Sequence, residues 1–276
     1  MHLKRWLTSI VAFPLVLFLI AEGGMPFVLL ICFVCAVSLY EYFSIVFPET
    51  LKTSLISFLG ILCGCLMILA ASRKTSDIMF LVFAINYLSS AMICVFKAGQ
   101  PLGSTEVMAK QVQGMVYIPL MLAFLVFLRL GEFGTIWVFY LLFIIFAGDV
   151  GAYYVGTYMG KHKLMPAVSP KKTIEGAAGG ILANILVGSL INLYLPDLPW
   201  GLDMPRLPWP SAILFFITAG AMGQVGDLFE SLFKRAANIK DSGKILPGHG
   251  GLLDRIDALL FAAPVAYFYK EFIFGF

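Results

Sequence analysis

The sequence predicts an all-α, polytopic integral membrane protein of about nine transmembrane helices, with its N-terminus in the cytoplasm and its C-terminus outside. Three observations lead there. Hydrophobic residues make up 60% of the 276 and charged residues 13%, and the mean hydropathy is +0.92, a balance that ordinary soluble domains do not show. Apolar stretches of bilayer-crossing length recur along the chain with short polar breaks between them. Lys and Arg gather on alternate connections, the asymmetry that orients membrane proteins.

The spans fall near 6–21, 25–47, 54–71, 78–97, 112–130, 135–158, 176–195, 211–233 and 255–274. With the N-terminus inside, fourteen of the nineteen Lys and Arg lie on the cytoplasmic side, together with two charged loops, 159–175 and 234–254. The opening "MHLKRWLTSIVAFPLVLFLIAEGG" has the basic start of a signal peptide without an A-x-A cleavage site and reads as a retained first helix. The Pro- and Trp-rich "LPDLPWGLDMPRLPWP" reads as a stiff outer connector. All five cysteines lie in apolar runs, where thiols behave as small hydrophobes rather than zinc ligands.

Two regions are expected. Residues 1–130 form N-terminal helices for lipid entrance, packing or dimerisation; their interiors hold almost nothing ionisable, and Glu41 reads as a snorkelling or capping side chain. Residues 131–276 form a C-terminal bundle that carries the chemistry. There, Gly148, Ala152, Gly156 and Gly160 share one helix face, as do Gly176 with Gly180 and Ala219 with Gly223, a spacing that lets helices approach closely in lipid.

The same half holds the costly side chains. Asp149 lies well inside a span, Asp227 lies toward a cytoplasmic helix end with Glu230 one turn on, and Asp254 and Asp257 open the last span on one helix side. The loop between holds Lys234, Arg235, Lys240, Lys244 and Arg255 with the glycine-rich "PGHGG", whose backbone N–H groups can converge on an anion. In "SPKKTIEGAAGG", Ser169 is placed to cap a helix, Pro170 to open it, and Lys171 and Lys172 to stand at its anion-attracting N-terminus. Topology or packing explains basic loops but not the aspartates. Carboxylates among phosphate-binding cations point to a divalent metal, because magnesium prefers one or two carboxylates completed by phosphates and water. A net charge of +3 without a basic stripe argues against nucleic acid, and no P-loop or kinase motif occurs.

The run "SLFKRAANIKDSGKILPGHGGLLDRID" resembles the signature of the CDP-diacylglycerol synthase (phosphatidate cytidylyltransferase) family: S-x-x-K-R, four residues, K-D, then H-G-G-x-x-D-R-x-D. Ser231, Lys234, Arg235, Lys240, Asp241, His249, Gly250, Gly251, Asp254, Arg255 and Asp257 all match, and "SPKKTIEG" and "GDVGAYYVG" add to a resemblance over about 148–258. The resemblance implies transfer of CMP from CTP to phosphatidic acid at the cytoplasmic face, releasing pyrophosphate, with magnesium at Asp227 and Asp254. A second metal or a monovalent ion and a homodimer belong to the same expectation.

The nucleophile is already ionised at neutral pH, since a phosphate monoester has a second pKa near 6. Asp257 and Asp241 are therefore cast as ligand-orienting groups rather than bases. Lys171, Lys172, Lys234, Arg235 and Lys240 are assigned to phosphates, with His249, Gly250, Gly251, Arg255, Ser169 and Asp149 lining the substrate site. Two other readings stand beside this one: a CTP-dependent polyprenol or lipid-alcohol kinase, which needs a base for its hydroxyl, and an anion transporter, which usually shows a repeated half that this chain lacks.

Overall fold

The computed structural model describes residues 13–52, 54–97, 101–197, 204–243, 245 and 250–276. Nearly all are helical. In chain order the elements are α1 (Phe13–Glu22), α2 (Gly24–Val46), α3 (Glu49–Lys52), α4 (Leu55–Ser72), α5 (Ser76–Lys97), α6 (Pro101–Met115), α7 (Met121–Leu130), α8 (Gly134–Tyr158), β1 (Lys163–Met165), β2 (Ser169–Thr173), α9 (Ile174–Tyr194), α10 (Trp209–Ala236) and α11 (Leu253–Phe268). Among the described residues seven helices are long and apolar enough to cross a membrane, and they match the second to eighth spans of the sequence. The described part of the first span is the shorter α1, and the ninth is the 16-residue α11 running into a π-helical segment, Tyr269–Phe274.

Local sequence sets the breaks. Phe47 is extended because Pro48 follows it. Pro119 lacks an N–H donor, and the chain absorbs the lost bond in a π-helical turn, Val116–Leu120, that joins α6 to α7. At 28 residues, α10 is about 42 Å long, longer than the roughly 30 Å hydrocarbon core. It therefore has length to spare beyond the lipid.

The expected helix start at Ser169 is corrected. Residues 163–173 form an antiparallel hairpin, with Lys163 opposite Thr173 and Met165 opposite Ser169. The helix begins at Ile174, capped by Thr173, whose Oγ1 accepts from the Gly176 N–H at 3.1 Å. Pro170 biases Ser169 toward extended backbone, and Thr173 supplies the cap that Ser169 does not. Lys171 and Lys172 are accordingly strand residues, and a single hairpin joins the helices of the all-α expectation.

The chain divides into two compact units. The first comprises Met1–Phe127 with Ala236–Ile256, the second Leu128–Arg235 with Asp257–Phe276. In the first, Gln111 donates to the Ile56 carbonyl at 3.2 Å, and Tyr42 bonds the Lys110 carbonyl and the Gln113 side chain at 3.1 and 3.0 Å. In the second, α8 and α9 pack along their small residues. A Cβ on Gly176 would come within 2.9 Å of the Ala152 carbonyl, and one on Gly180 within 2.9 Å of the Gly148 carbonyl. Gly160 lies just past the end of α8 and serves the turn rather than the helix face.

Candidate active site

Within the second unit, the ionisable groups collect around the C-terminal turns of α10. The Lys172 ammonium reaches from β2 to the Asp227 carboxylate at 2.6 Å, with the two side chains 29% and 36% exposed. One turn further on, Glu230 is fully buried and pairs with Lys234 at 2.5 Å. Arg235 Nε donates to the Val168 carbonyl at 3.0 Å, tying the hairpin turn to the end of α10. Asp257, 9% exposed, lies within electrostatic range of Asp227, Asp149 and Lys234. Gly226 permits that approach, since a Cβ there would meet the Asp257 carbonyl at 2.4 Å. Asp149 lines a cavity of about 10 Å³ with Asn184 and Gln224, room for one water.

Within the first unit, Asp254 is held differently. Its Oδ2 accepts from the Ser242 N–H at 2.9 Å, the Ser242 hydroxyl at 3.0 Å and the Gly251 N–H at 2.9 Å. Gly250 adopts a positive φ of 82° at this corner, and a Cβ there would lie 2.9 Å from Asp254 Oδ2 and 3.5 Å from Asp241 Cβ. Asp241 thus stands beside Asp254. Lys240, Asp241 and Arg255 are exposed.

Sequence comparison bears on this pattern. The Cytidylyltransferase family profile matches residues 3–273. A phosphatidate cytidylyltransferase from Bacillus subtilis is 34% identical over 278 residues, 96% of this chain and 96% of its own. The chain belongs to the cytidylyltransferase family. Shorter matches to phosphatidate cytidylyltransferases include one from Staphylococcus epidermidis, 42% identical over 52% of each chain, and one from Mycobacterium tuberculosis, 37% identical over 66% of this chain and 48% of its own. As a member of that family the protein is a nucleotidyltransferase of the membrane.

The donor chemistry of this cytidylyltransferase suits a hard divalent cation. Asp227, Asp254, Asp257, Asp149 and Asp241 offer only oxygen, and among the described residues no three His, Cys, Asp or Glu side chains gather closely enough to enclose a metal by themselves. Magnesium is satisfied by one or two carboxylates because substrate phosphates and water complete its shell. Asp254 fits that role in a further respect: its carboxylate is oriented by the Ser242 and Gly251 N–H groups and the Ser242 hydroxyl.

Of the residues expected from the sequence, the structure brings Lys172, Asp227, Lys234 and Asp257 into one electrostatic group and Asp241, Gly250, Gly251 and Asp254 into another. Lys171 and Ser169 sit on β2, the first exposed and the second half-buried. His249 and Lys244 lie outside the described residues. Three participants were not singled out by the motif: Ser242, Thr173 and Glu41. Of the two readings of Glu41, snorkelling or capping, the structure has the second: it is 1% exposed and accepts from backbone N–H groups at the start of α11. A carboxylate inside an apolar span was the one available signal.

Proposed function

We propose that the protein is a phosphatidate cytidylyltransferase that converts CTP and phosphatidic acid to CDP-diacylglycerol and pyrophosphate on the cytoplasmic side of the membrane. The observation that carries this reading is the unbroken S-x-x-K-R…K-D…H-G-G-x-x-D-R-x-D run, Ser231 to Asp257, in a chain of the cytidylyltransferase family, with Asp254 held by hydrogen bonds and Asp227, one turn before the run, held by an ion pair. The arrangement proposed has nine spans, the N-terminus inside, and a homodimer as the assembly.

A phosphatidate oxygen attacks the α-phosphorus of CTP, the bond to the β-phosphate breaks, and pyrophosphate leaves. Both reactants are multiply anionic, so the protein's main tasks are to cancel repulsion and align the two in line. Asp227 and Asp254 would hold magnesium, which supplies positive charge against the triphosphate when bound. Lys172, released from Asp227, offers its ammonium to a phosphate. Lys171, Lys240 and Arg255 add exposed positive charge, while Lys234 and Arg235 hold the frame through Glu230 and the Val168 carbonyl. Asp257 and Asp241 orient neighbouring groups.

The deciding experiment is pyrophosphate release by the detergent-purified protein given CTP, phosphatidic acid and magnesium, with the lipid product identified by mass. Pyrophosphate together with a CDP-lipid is expected. CDP without a CDP-lipid would instead indicate a lipid kinase, and lipid-independent behaviour would end the reading.

A further inference from the structure

Glu41 is the most deeply buried carboxylate of the first unit's described helices, and its hydrogen bonds lead toward Asp254. It comes from the C-terminal part of α2, a helix whose 23 residues hold no other charged side chain. Its Oε1 accepts from the Leu252 N–H at 3.1 Å, and its Oε2 accepts from the Leu253 N–H at 2.8 Å. These are N–H groups at the first turn of α11, which have no partner within that helix. Oε2 also lies 3.1 Å from the Ser242 hydroxyl, the same hydroxyl that lies 3.0 Å from Asp254 Oδ2.

Ser242 has one hydroxyl proton and two carboxylates to serve. The glycines around it leave room for nothing else. A Cβ on Gly243 would lie 2.2 Å from Glu41 Oε1, and a Cβ on Gly251 would lie 2.0 Å from the Ser242 hydroxyl and 2.6 Å from Glu41 Oε2. The second glycine of the H-G-G run is thus explained by Glu41 and Ser242. Gly251 also donates its own N–H to Asp254. Glu41 therefore fixes both the start of α11, on which Asp254 rides, and the hydroxyl that faces the Asp254 carboxylate.

We propose that Glu41 is a positioning residue for Asp254: from α2 it holds the Ser242 hydroxyl and the start of α11 so that the Asp254 carboxylate is presented in one orientation to a divalent cation. The proposal rests on the reading of Asp254 as a magnesium ligand. Groups that orient a metal ligand in this way typically change metal affinity about 10–100-fold when removed. A cap with no link to the metal would instead lower stability and leave metal affinity unchanged.

The test uses the full-length protein in detergent with four variants: Glu41→Gln, Ser242→Ala, Asp254→Asn and, as a destabilised reference in the same unit, Gln111→Leu, which removes the bond to the Ile56 carbonyl. Binding of Mn²⁺ is read by electron paramagnetic resonance with CTP present and no lipid, magnesium half-saturation is read from pyrophosphate release, and thermal unfolding is followed in parallel. Glu41→Gln keeps the shape but turns an amide NH₂ toward a backbone or hydroxyl donor. It is expected to weaken Mn²⁺ binding and raise magnesium half-saturation by about 10–100-fold, with turnover largely restored at saturating magnesium. Ser242→Ala, a smaller change, is expected to shift both by less than Glu41→Gln, and it serves as the informative variant if Glu41→Gln does not fold. Gln111→Leu is expected to lower the unfolding temperature without a metal shift. Loss of Mn²⁺ binding in Asp254→Asn alongside unshifted Glu41→Gln and Ser242→Ala overturns the proposal and spares the metal assignment. Intact Mn²⁺ binding in Asp254→Asn overturns both, and absence of pyrophosphate from the unaltered protein overturns the function itself.

Discussion

The two carboxylates assigned to the metal are held by different partners. Asp254 is gripped by neutral donors, two backbone N–H groups and a hydroxyl. Asp227 is gripped mainly by a cation, the ammonium of Lys172 at 2.6 Å, with the Ser231 hydroxyl donating more distantly, at 3.5 Å, to its other oxygen. A carboxylate held by backbone and hydroxyl donors is fixed in direction before a metal arrives. A carboxylate neutralised by a flexible lysine has to exchange that partner when a metal arrives, which frees the ammonium for a phosphate. Asp254 therefore reads as a permanent ligand, and the Lys172–Asp227 pair as a site that rearranges when substrate binds.

The largest effect that sharpens this contrast is expected from Asp254→Asn. An amide can still accept from the three donors through its oxygen, but it then turns an NH₂ toward the cation. The fold should survive while kcat/KM falls by about 10²–10³-fold or more, measured as pyrophosphate release with unfolding temperature as the control. Asp227→Asn should lose less, because the freed Lys172 still offers a charge to phosphate. Equal losses in the two variants would erase the distinction drawn between them.

Lys172→Met tests the other side. Removing a competing cation from Asp227 should leave magnesium half-saturation unchanged or lower it, while the KM for CTP or phosphatidate rises by about 10–100-fold, the range for a charged hydrogen bond of roughly 1.5–3 kcal/mol. A parallel loss of metal affinity would mean that Lys172 orients Asp227 for the metal, as the neutral donors orient Asp254, and the contrast would fail.

How much of this was legible in the sequence follows from the range of each interaction. Asp149, Asp227, Asp254 and Asp257 could be singled out because ionisable groups in apolar helices are costly wherever their partners are. The close packing of α8 on α9 was legible for the same local reason, glycines four apart. Ser169 was misread as a cap because strand and helix starts look alike until the pairing of Lys163 with Thr173 is known. Glu41 was out of reach for a different reason. Its backbone donors lie 211 and 212 residues away, and one sequence carries no record of such a contact.

The smallest expected effect concerns how Lys172 is aimed, and it falls on the next residue. Thr173 Oγ1 caps α9 through the Gly176 N–H and also packs against the turn at Gly160, where a Cβ would come within 2.7 Å of it. Thr173→Ala removes the cap at a cost of about 1 kcal/mol but leaves the strand pairing and the Lys172–Asp227 contact in place. The unfolding temperature should fall by a few degrees, and the KM for CTP should rise by less than about threefold, since only part of that cost reaches the lysine. A tenfold or larger KM effect with little change in unfolding would mean that the hydroxyl, rather than the cap it makes, is what the substrate meets. The hairpin would then hold a polar contact of its own, and the rearranging half of the comparison would extend one residue beyond the Lys172–Asp227 pair.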